Sequence, residues 1–447
     1  MGLGVLDRSR VVAPPGWSRW LVPPAALAVH LSIGQAYAWS VFKTPLEKAL
    51  GLTGVESGLP FQVAIVMLGL SAAFGGTVVE RRGPRWAMAL SSVCFGGGFL
   101  VAALGVLLGQ FWLVVVGYGL LGGVGLGIGY ISPVSTLIKW FPDRPGMATG
   151  VAIMGFGGGA LIASPWSTAM LAGFGSGTGG IAATFALHGV VYALFMALGV
   201  LLVRVPPENW KPAGWDPGRA AKRGLVTAAD VSAHNAIRTP QFWLLWVVLC
   251  FNVTAGIGVL EKAAPMITDF FHPGPATAAG FVALLSLTNM LGRFVWSSLS
   301  DLLGRKNIYR LYLGVGALLY LVLVLVGNTS RPVFVLATIA ILSFYGGGFA
   351  TVPAYLRDLF GTYQVGAIHG RLLTAWSVAG VLGPLIVDGI ADAQAAGGRS
   401  GPALYSTSFL IMIGLLVAGF VANELIRPVA QRWHEPAVAR AEEVRAQ

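Results

Sequence analysis

Apolar and polar residues alternate along this chain in long blocks rather than in the short periods of soluble helices or strands. A helix of about 20 residues crosses a hydrocarbon core of about 30 Å, and apolar runs of that length recur twelve times. They fall near 20–43, 57–79, 86–109, 111–138, 146–173 and 181–203, then near 241–267, 276–300, 307–327, 332–356, 367–391 and 403–426. The longest polar interruption, 205–239, holds Pro206, Pro207, Pro212 and Pro217 with Lys211, Arg219, Lys222 and Arg223, and reads as a linker with room for an interfacial helix. The expected fold is an all-α membrane protein, twelve transmembrane helices in two six-helix bundles. The expected division is a terminus at 1–16, bundles at 17–204 and 240–427 around the linker at 205–239, and a tail at 428–447.

Composition agrees with this pattern. Of 447 residues, 55% are hydrophobic and 11% charged, where a soluble domain has about a quarter charged; the mean hydropathy is +0.74. An ordinary cytosolic enzyme, a disordered regulator and a disulfide scaffold are excluded. The net charge of +11 points away from nucleic acid, because the basic residues sit in short clusters between apolar runs and form no hydrophilic face. Cys94 and Cys250 lie inside apolar runs with no metal-ligand or Cys-x-x-Cys spacing, so each reads as a small buried hydrophobe. The first run is too long for a signal peptide and lacks a small-residue cleavage site, so it stays as span one.

The Lys/Arg bias gives an orientation. One set of loops and tails carries Arg8, Arg10, Arg19, Arg81, Arg82, Arg85, Lys139, Arg144, the linker, Arg305, Lys306, Arg310, Arg357 and the tail from Arg427 to Arg445. The other set holds Lys43, Lys48, Arg331 and Arg399. Both termini and the linker are expected to be cytoplasmic.

The halves repeat each other in one loop. Glu80-Arg81-Arg82-Gly83-Pro84-Arg85 follows span two, and Asp301-Leu302-Leu303-Gly304-Arg305-Lys306 follows span eight, 221 residues later. Glycine lets a turn between helix ends run tight, and the acid and basic residues can form a charge relay that opens and closes with the halves. The arginines also fix topology; the duplication points beyond that to a gating latch of Glu80, Arg81, Gly83, Arg85, Asp301, Gly304 and Arg305. The first copy resembles the Gly-x-x-x-Asp-Arg-x-Gly-Arg-Arg loop of the major facilitator superfamily, with Glu80 in place of the acid and Pro84 in place of one basic residue. The resemblance covers 17–427 and implies two rigid halves rocking about a midplane site with alternating access.

A charged side chain at the centre of a span costs about 2.5–3.5 kcal/mol on insertion scales. Arg293 stands near the middle of span eight, permanently cationic, with Asn289 one turn away on the same face. The fork of donors plus an amide suits a carboxylate. The alternative is an arginine paired with a buried acid to hold helices together, yet no acid lies in the central third of another span. His30 in span one is a proton carrier, a substrate contact or a hydrogen-bonded core residue, the last preferred. Glu261 and Lys262 line the outer vestibule or snorkel to the interface. Asp388 near the far end of span eleven is a protonatable site, while His369 and Arg371 mark the interface at its start. Tyr37, Trp39, Tyr130, Tyr345 and Phe349 sit in small-residue stretches; facing a cavity they would strengthen an Arg–carboxylate contact by excluding water. The glycine runs 117–129 and 155–159 imitate nucleotide loops, but they lie in apolar helices, where small residues serve close helix contact.

Several segments resemble the oxalate/formate antiporter family and its monocarboxylate-transporting relatives: Tyr37-Ala-Trp39-Ser-Val-Phe42, Trp140-Phe-Pro-Asp143-Arg144-Pro-Gly146, Arg238-Thr-Pro-Gln-Phe-Trp243, and Asn289 and Arg293 through Asp301, Gly304 and Arg305. The resemblance implies that Arg293 grips a substrate carboxylate and that Tyr37, Tyr130, Tyr345, Phe349 and Phe156 form an aromatic cage. The oxalate carrier has a second cation, a lysine in span eleven, where this chain has Trp376; Arg371 lies more than a turn earlier. One cation with apolar walls suits a monoanion, since a dianion would keep one charge unmatched in the membrane interior. The expected function is secondary transport of a small monocarboxylate such as lactate, pyruvate, formate or acetate, with a proton as co-substrate carried at Asp388, His30 or Glu261. The competing reading is an oxalate:formate antiporter; a transporter-derived sensor, an intramembrane enzyme and an exporter of basic drugs are disfavoured. No cofactor or metal is expected. The expected setting is a bacterial-type inner membrane, with the chain a monomer.

Overall fold

The computed structural model describes residues 4, 6, 8–207, 210–215, 226–227 and 229–435. Pro217, Arg219, Lys222 and Arg223 of the linker and the tail after 435 lie outside the described residues, as do the side chains of Arg8 and Glu261. Among the described residues ten helices are long and apolar enough to cross a membrane. In chain order they are span two (Gly54–Arg82), three (Pro84–Leu107), four (Phe111–Trp140), five (Pro145–Phe174), six (Thr178–Leu202), seven (Pro240–Leu260), nine (Arg305–Val326), ten (Arg331–Phe360), eleven (Val365–Ala396) and twelve (Ser406–Leu425). Pro275–Leu303 is span eight, and span one is built of Val22–Ile33, a 3-10 segment Gly34–Ala38 and Ser40–Leu50. Among the described residues the count is twelve.

Local chemistry sets the helix ends. Thr53 Oγ1 accepts from Glu56 N–H while the Glu56 carboxylate accepts from Thr53 N–H, a reciprocal cap that starts span two. Proline stands in the first turn of spans three, five, seven, eight and ten, where its missing N–H has no helical partner to lose. Spans two and eight both stop at a glycine of the duplicated loop, Gly83 with φ 87° and Gly304 with φ 84°. That left-handed backbone is strained for any residue with a Cβ.

Three boundaries depart from the pattern of the sequence. Span one continues to Leu50 because the Gly34–Ala38 segment re-aims the chain without ending it. Span seven breaks at Lys262 and resumes as Ala263–Phe271. Span eleven opens with Val365–Leu372 and then runs Thr374–Ala396.

Within the first half, span three packs on span six and span two on span four; within the second, span eight packs on span ten and span seven on spans eleven and twelve. The halves meet where span five lies against span eight and span two against span eleven. Glycines bring the backbones together there: a Cβ on Gly150 would lie 2.9 Å from Arg293 O, and one on Gly76 would lie 2.7 Å from Ala367 Cα. The described ends of the chain and the described linker residues share one end of the molecule. Ala13 N–H donates to Val205 O (3.0 Å), Thr227 N–H to Asp358 O (2.8 Å) and Glu435 N–H to Asp230 O (2.8 Å).

Candidate functional site

Arg293 is wholly buried on span eight, facing span five across the seam. Its Nε donates to Asn289 Oδ1 at 3.2 Å and its Nη1 to Ile153 O at 3.2 Å, while Nη2 has no hydrogen-bond partner among the described residues. Among the described residues no carboxylate lies within ion-pair reach of it. Phe156 and Phe349 close over the guanidinium, their ring centroids 5.7 and 5.2 Å away, a cation–π arrangement that also keeps water off the charge. Asn289 spends its carbonyl on Arg293 and directs its NH2 toward Leu342 O at 3.5 Å, so it orients the arginine.

The space for this side chain comes from glycine. A Cβ on Gly157 would lie 2.7 Å from Arg293 Nε, and one on Gly346 would lie 3.2 Å from Arg293 Cγ. Gly157 belongs to the run read from sequence as close helix packing; here it admits a cation.

The aromatic residues do converge. Phe156 is the hub, with Tyr37 at 5.1 Å, Tyr130 at 5.5 Å and Trp376 at 6.0 Å between ring centroids. Phe349 meets Tyr130 and Trp376, each at 5.5 Å, and Tyr345 lies beside Tyr37 and Trp376. The Tyr130 hydroxyl is buried without a hydrogen-bond partner among the described residues, and the hydroxyls of Tyr37 and Tyr345 and the Trp376 Nε1–H approach one another without forming a hydrogen bond of ordinary geometry. Unpaired buried donors are rare because each costs about 1–3 kcal/mol. Gathered around an uncompensated guanidinium, they offer an acceptor-rich anion both charge and hydrogen bonds.

The two copies of the duplicated loop lie at the end that carries the termini. Glu80 Oε2 accepts from Lys139 Nζ at 2.7 Å, and its Oε1 accepts from Gly366 N–H at 3.0 Å, in the first turn of span eleven. Asp301 accepts from Gly146 and Met147 N–H, each at 2.9 Å, in the first turn of span five. Arg305 bridges Asp301 (2.5 Å) to Asp358 (3.0 Å), which also meets Arg357 at 3.0 Å. Each acid thus sits at a helix N-terminus of the opposite half, where the exposed N–H groups and the helix dipole favour negative charge.

The profile of the Major Facilitator Superfamily matches residues 25–384, and again 263–445. The chain belongs to this superfamily. It is similar to the oxalate:formate antiporter of Oxalobacter formigenes, 26% identical over 420 residues that span 92% of this chain and 93% of that protein. It is 27% identical to apicoplast pyruvate carrier 1 of Toxoplasma gondii over 70% of this chain and 65% of the carrier. An uncharacterised transporter of Escherichia coli K12, YhjX, is 26% identical over 81% and 86% of the two chains. Among solved structures the proton:xylose symporter XylE superposes with a TM-score of 0.70 at 15% identity, covering 91% of this chain and 94% of that one. The fucose transporter FucP, in its outward conformation, gives 0.66 at 13% identity over 91% and 98% of the two chains. The molecule is therefore a multi-pass membrane transporter of the major facilitator fold.

Other candidates lie elsewhere than their sequence positions suggested. Arg81 is exposed and makes no ion pair among the described residues; the partner of Glu80 is Lys139. Arg85 turns from the loop to the end of span six, donating to Val200 O at 3.1 Å and Val203 O at 3.2 Å, where helix carbonyls lack partners of their own. The acid of the first copy is thus paired with a lysine of span four and not with an arginine of its own loop. Trp39 leaves the cage: its Nε1 donates to Ser57 O and its ring packs on Tyr118 and Phe185. Asp388 pairs with Lys262 at 3.0 Å, both partly exposed, while the side chain of Glu261 is outside the described residues. His30 bonds Ala26 O through Nδ1, as a core histidine would, but its ring meets Tyr130 at 5.3 Å and its Nε2 forms no hydrogen bond of ordinary geometry among the described residues.

His369, read as an interface residue, is buried with its ring 5.7 Å from Tyr130. The opening turns of span eleven are covered by spans two and four, so its start lies inside protein and not at the lipid surface. The signal was the pair Gly366 and Gly370 flanking it: a Cβ on Gly366 would meet Ser135 Cβ at 2.9 Å, and one on Gly370 would collide with Ala72. Arg371 donates to Ala233 O of the linker, away from the cage.

Proposed function

We propose that this chain carries small monocarboxylates across a membrane by alternating access, with Arg293 gripping the carboxylate and a proton as co-substrate. One observation carries the reading: a buried guanidinium whose Nη2 has no partner stands among tyrosine and tryptophan donors, with no acid among the described residues to neutralise it. The position where a second cation would complete a dianion clamp is Trp376, packed between Phe156 and Phe349, which supports a monoanion. The pyruvate carrier among the relatives agrees with that class. An oxalate:formate exchange remains the second reading, supported by the antiporter that aligns over 92% of the chain.

In this reading the halves 17–204 and 240–427 rock about the cage, with the linker 205–239 between them. Glu80, Gly83, Asp301, Gly304 and Arg305 hold the seam shut at the end of the termini. The Lys/Arg bias makes that end cytoplasmic in a bacterial-type inner membrane, and the transporting unit is a monomer.

The test is uptake of labelled lactate and oxalate into proteoliposomes, with and without an inward proton gradient, for wild type, Arg293→Lys and Arg293→Ala. The expected result is gradient-driven lactate uptake that both variants lose. Oxalate uptake stimulated by internal formate would establish the exchange reading instead. Wild-type rates in Arg293→Ala would remove the arginine from the site.

A further inference from the structure

We propose that His30 and His369, one from each half, form with Tyr130 the proton site of the transport cycle, and that the charge on Arg293 ties its occupancy to the anion. The inference rests on the reading of Arg293 as the carboxylate grip.

The geometry begins with the tautomer. His30 Nδ1 lies 3.1 Å from Ala26 O. A carbonyl only accepts, so Nδ1 carries the hydrogen and Nε2 presents its lone pair. Nε2 is buried and forms no hydrogen bond of ordinary geometry among the described residues, its neighbour being the Tyr130 backbone, so it can take a proton without breaking an existing bond. Tyr130 stands between the rings, 5.3 Å from His30 and 5.7 Å from His369, and its hydroxyl is also unpartnered. Tyr130 also touches both phenylalanines that cover Arg293. Proton site and anion site therefore share a wall.

The charged and titratable groups facing the pair are few. From span four there is Tyr130, from span eight Arg293, and across the seam the other histidine. Span five meets His30 through Gly155, whose added Cβ would lie 3.2 Å from His30 Cβ. Glu80 of span two is turned to Lys139 and the Gly366 N–H, and Asp358 of span ten is held by Arg305 and Arg357. Among the described residues no carboxylate bonds either ring.

A proton on His30 Nε2 is thus a second positive charge near Arg293 in a dry interior, where like charges repel strongly. A carboxylate on Arg293 removes that repulsion. Proton and anion then enter as a neutral pair: the Nε2 lone pair binds a proton from water on one side and returns it to water on the other as the anion leaves. Because His369 sits on the half opposite Tyr130, rocking of the halves separates the two, so the site is complete only while the seam at that end is closed.

Two measurements test this on the full chain. The first uses wild type in weakly buffered detergent solution with a pH-sensitive dye: lactate addition should draw protons from the medium, with binding followed in parallel by tryptophan fluorescence. Lactate binding without proton uptake would overturn the proposal, while no lactate binding at all would overturn the grip reading on which it rests. The second compares gradient-driven accumulation of lactate with lactate counterflow in proteoliposomes for His30→Gln and His369→Gln. The expected result is a fall of about tenfold in the ratio of accumulation to counterflow, whereas Arg293→Ala loses both. A wild-type ratio in both histidine variants would overturn the assignment.

Discussion

Glu80 and Asp301 occupy equivalent places in the two copies of the loop, and each reaches across the seam to the first turn of a helix in the other half. The resemblance ends at the partners. Glu80 binds one backbone N–H and a lysine whose side chain is 30% exposed, whereas Asp301 binds two backbone N–H groups and an arginine that is 7% exposed and bridges to a second acid. The basic residue after the glycine also diverges: Arg305 closes the ion network and Arg85 ties the end of span six. Repeated sequence thus preserves where the acid points, while burial decides how strongly it holds. The second seam should be the stronger by a wide margin.

Removing the arginine should have the largest effect. Arg305→Ala leaves Asp301 and Asp358 facing each other with their shared cation gone, and buried pairs broken in this way lose about 3–5 kcal/mol. A steep drop in thermal midpoint of the detergent-purified protein is expected; an unchanged midpoint would show that the network contributes nothing. Asp301→Asn comes next, since it keeps one acceptor oxygen but surrenders the charge, for a loss of about 2 kcal/mol. Faster cysteine labelling along the seam of spans five and eight is the readout, and labelling at the wild-type rate would break the comparison. Glu80→Gln should be milder, below about 1 kcal/mol, because the Lys139 pair is partly exposed and screened. The cost of Glu80→Gln should also be the more salt-dependent of the two, shrinking at high ionic strength, measured as the difference in thermal midpoint between variant and wild type at low and high salt.

The glycines provide a control in which the copies should agree. Gly83→Ala and Gly304→Ala each force a Cβ onto nearly the same left-handed backbone, at about 2 kcal/mol apiece. Equal losses would locate the asymmetry in the charges; a large difference would place it in the turns.

Much of the site was legible in the chain. Arg293 stands out because a cation amid apolar residues has no cheap explanation, and Tyr37, Tyr130, Phe156, Tyr345, Phe349 and Trp376 do meet around it. Asn289 was legible as a neighbour, since i and i+4 share a helix face, but not as a side chain whose carbonyl is already used. Gly157 was hidden because a glycine that admits a buried cation looks the same in sequence as one that admits a backbone. The burial of His369 was not legible, because nothing in the sequence beyond its flanking glycines shows that the start of span eleven is sheathed by its neighbours.

The sequence by itself determined the number of spans, the duplicated loop and the cation isolated within an apolar span, because hydrocarbon thickness, charge desolvation and a glycine-only turn act on each segment separately. Only the tertiary structure decided that Glu80 answers to Lys139 and not Arg81, that Asp301 is held by the backbone of span five, and that histidines from opposite halves flank Tyr130. Those partners lie far apart along the chain, some of them are main-chain N–H groups common to almost every residue, and only the packing of two halves brings them within reach.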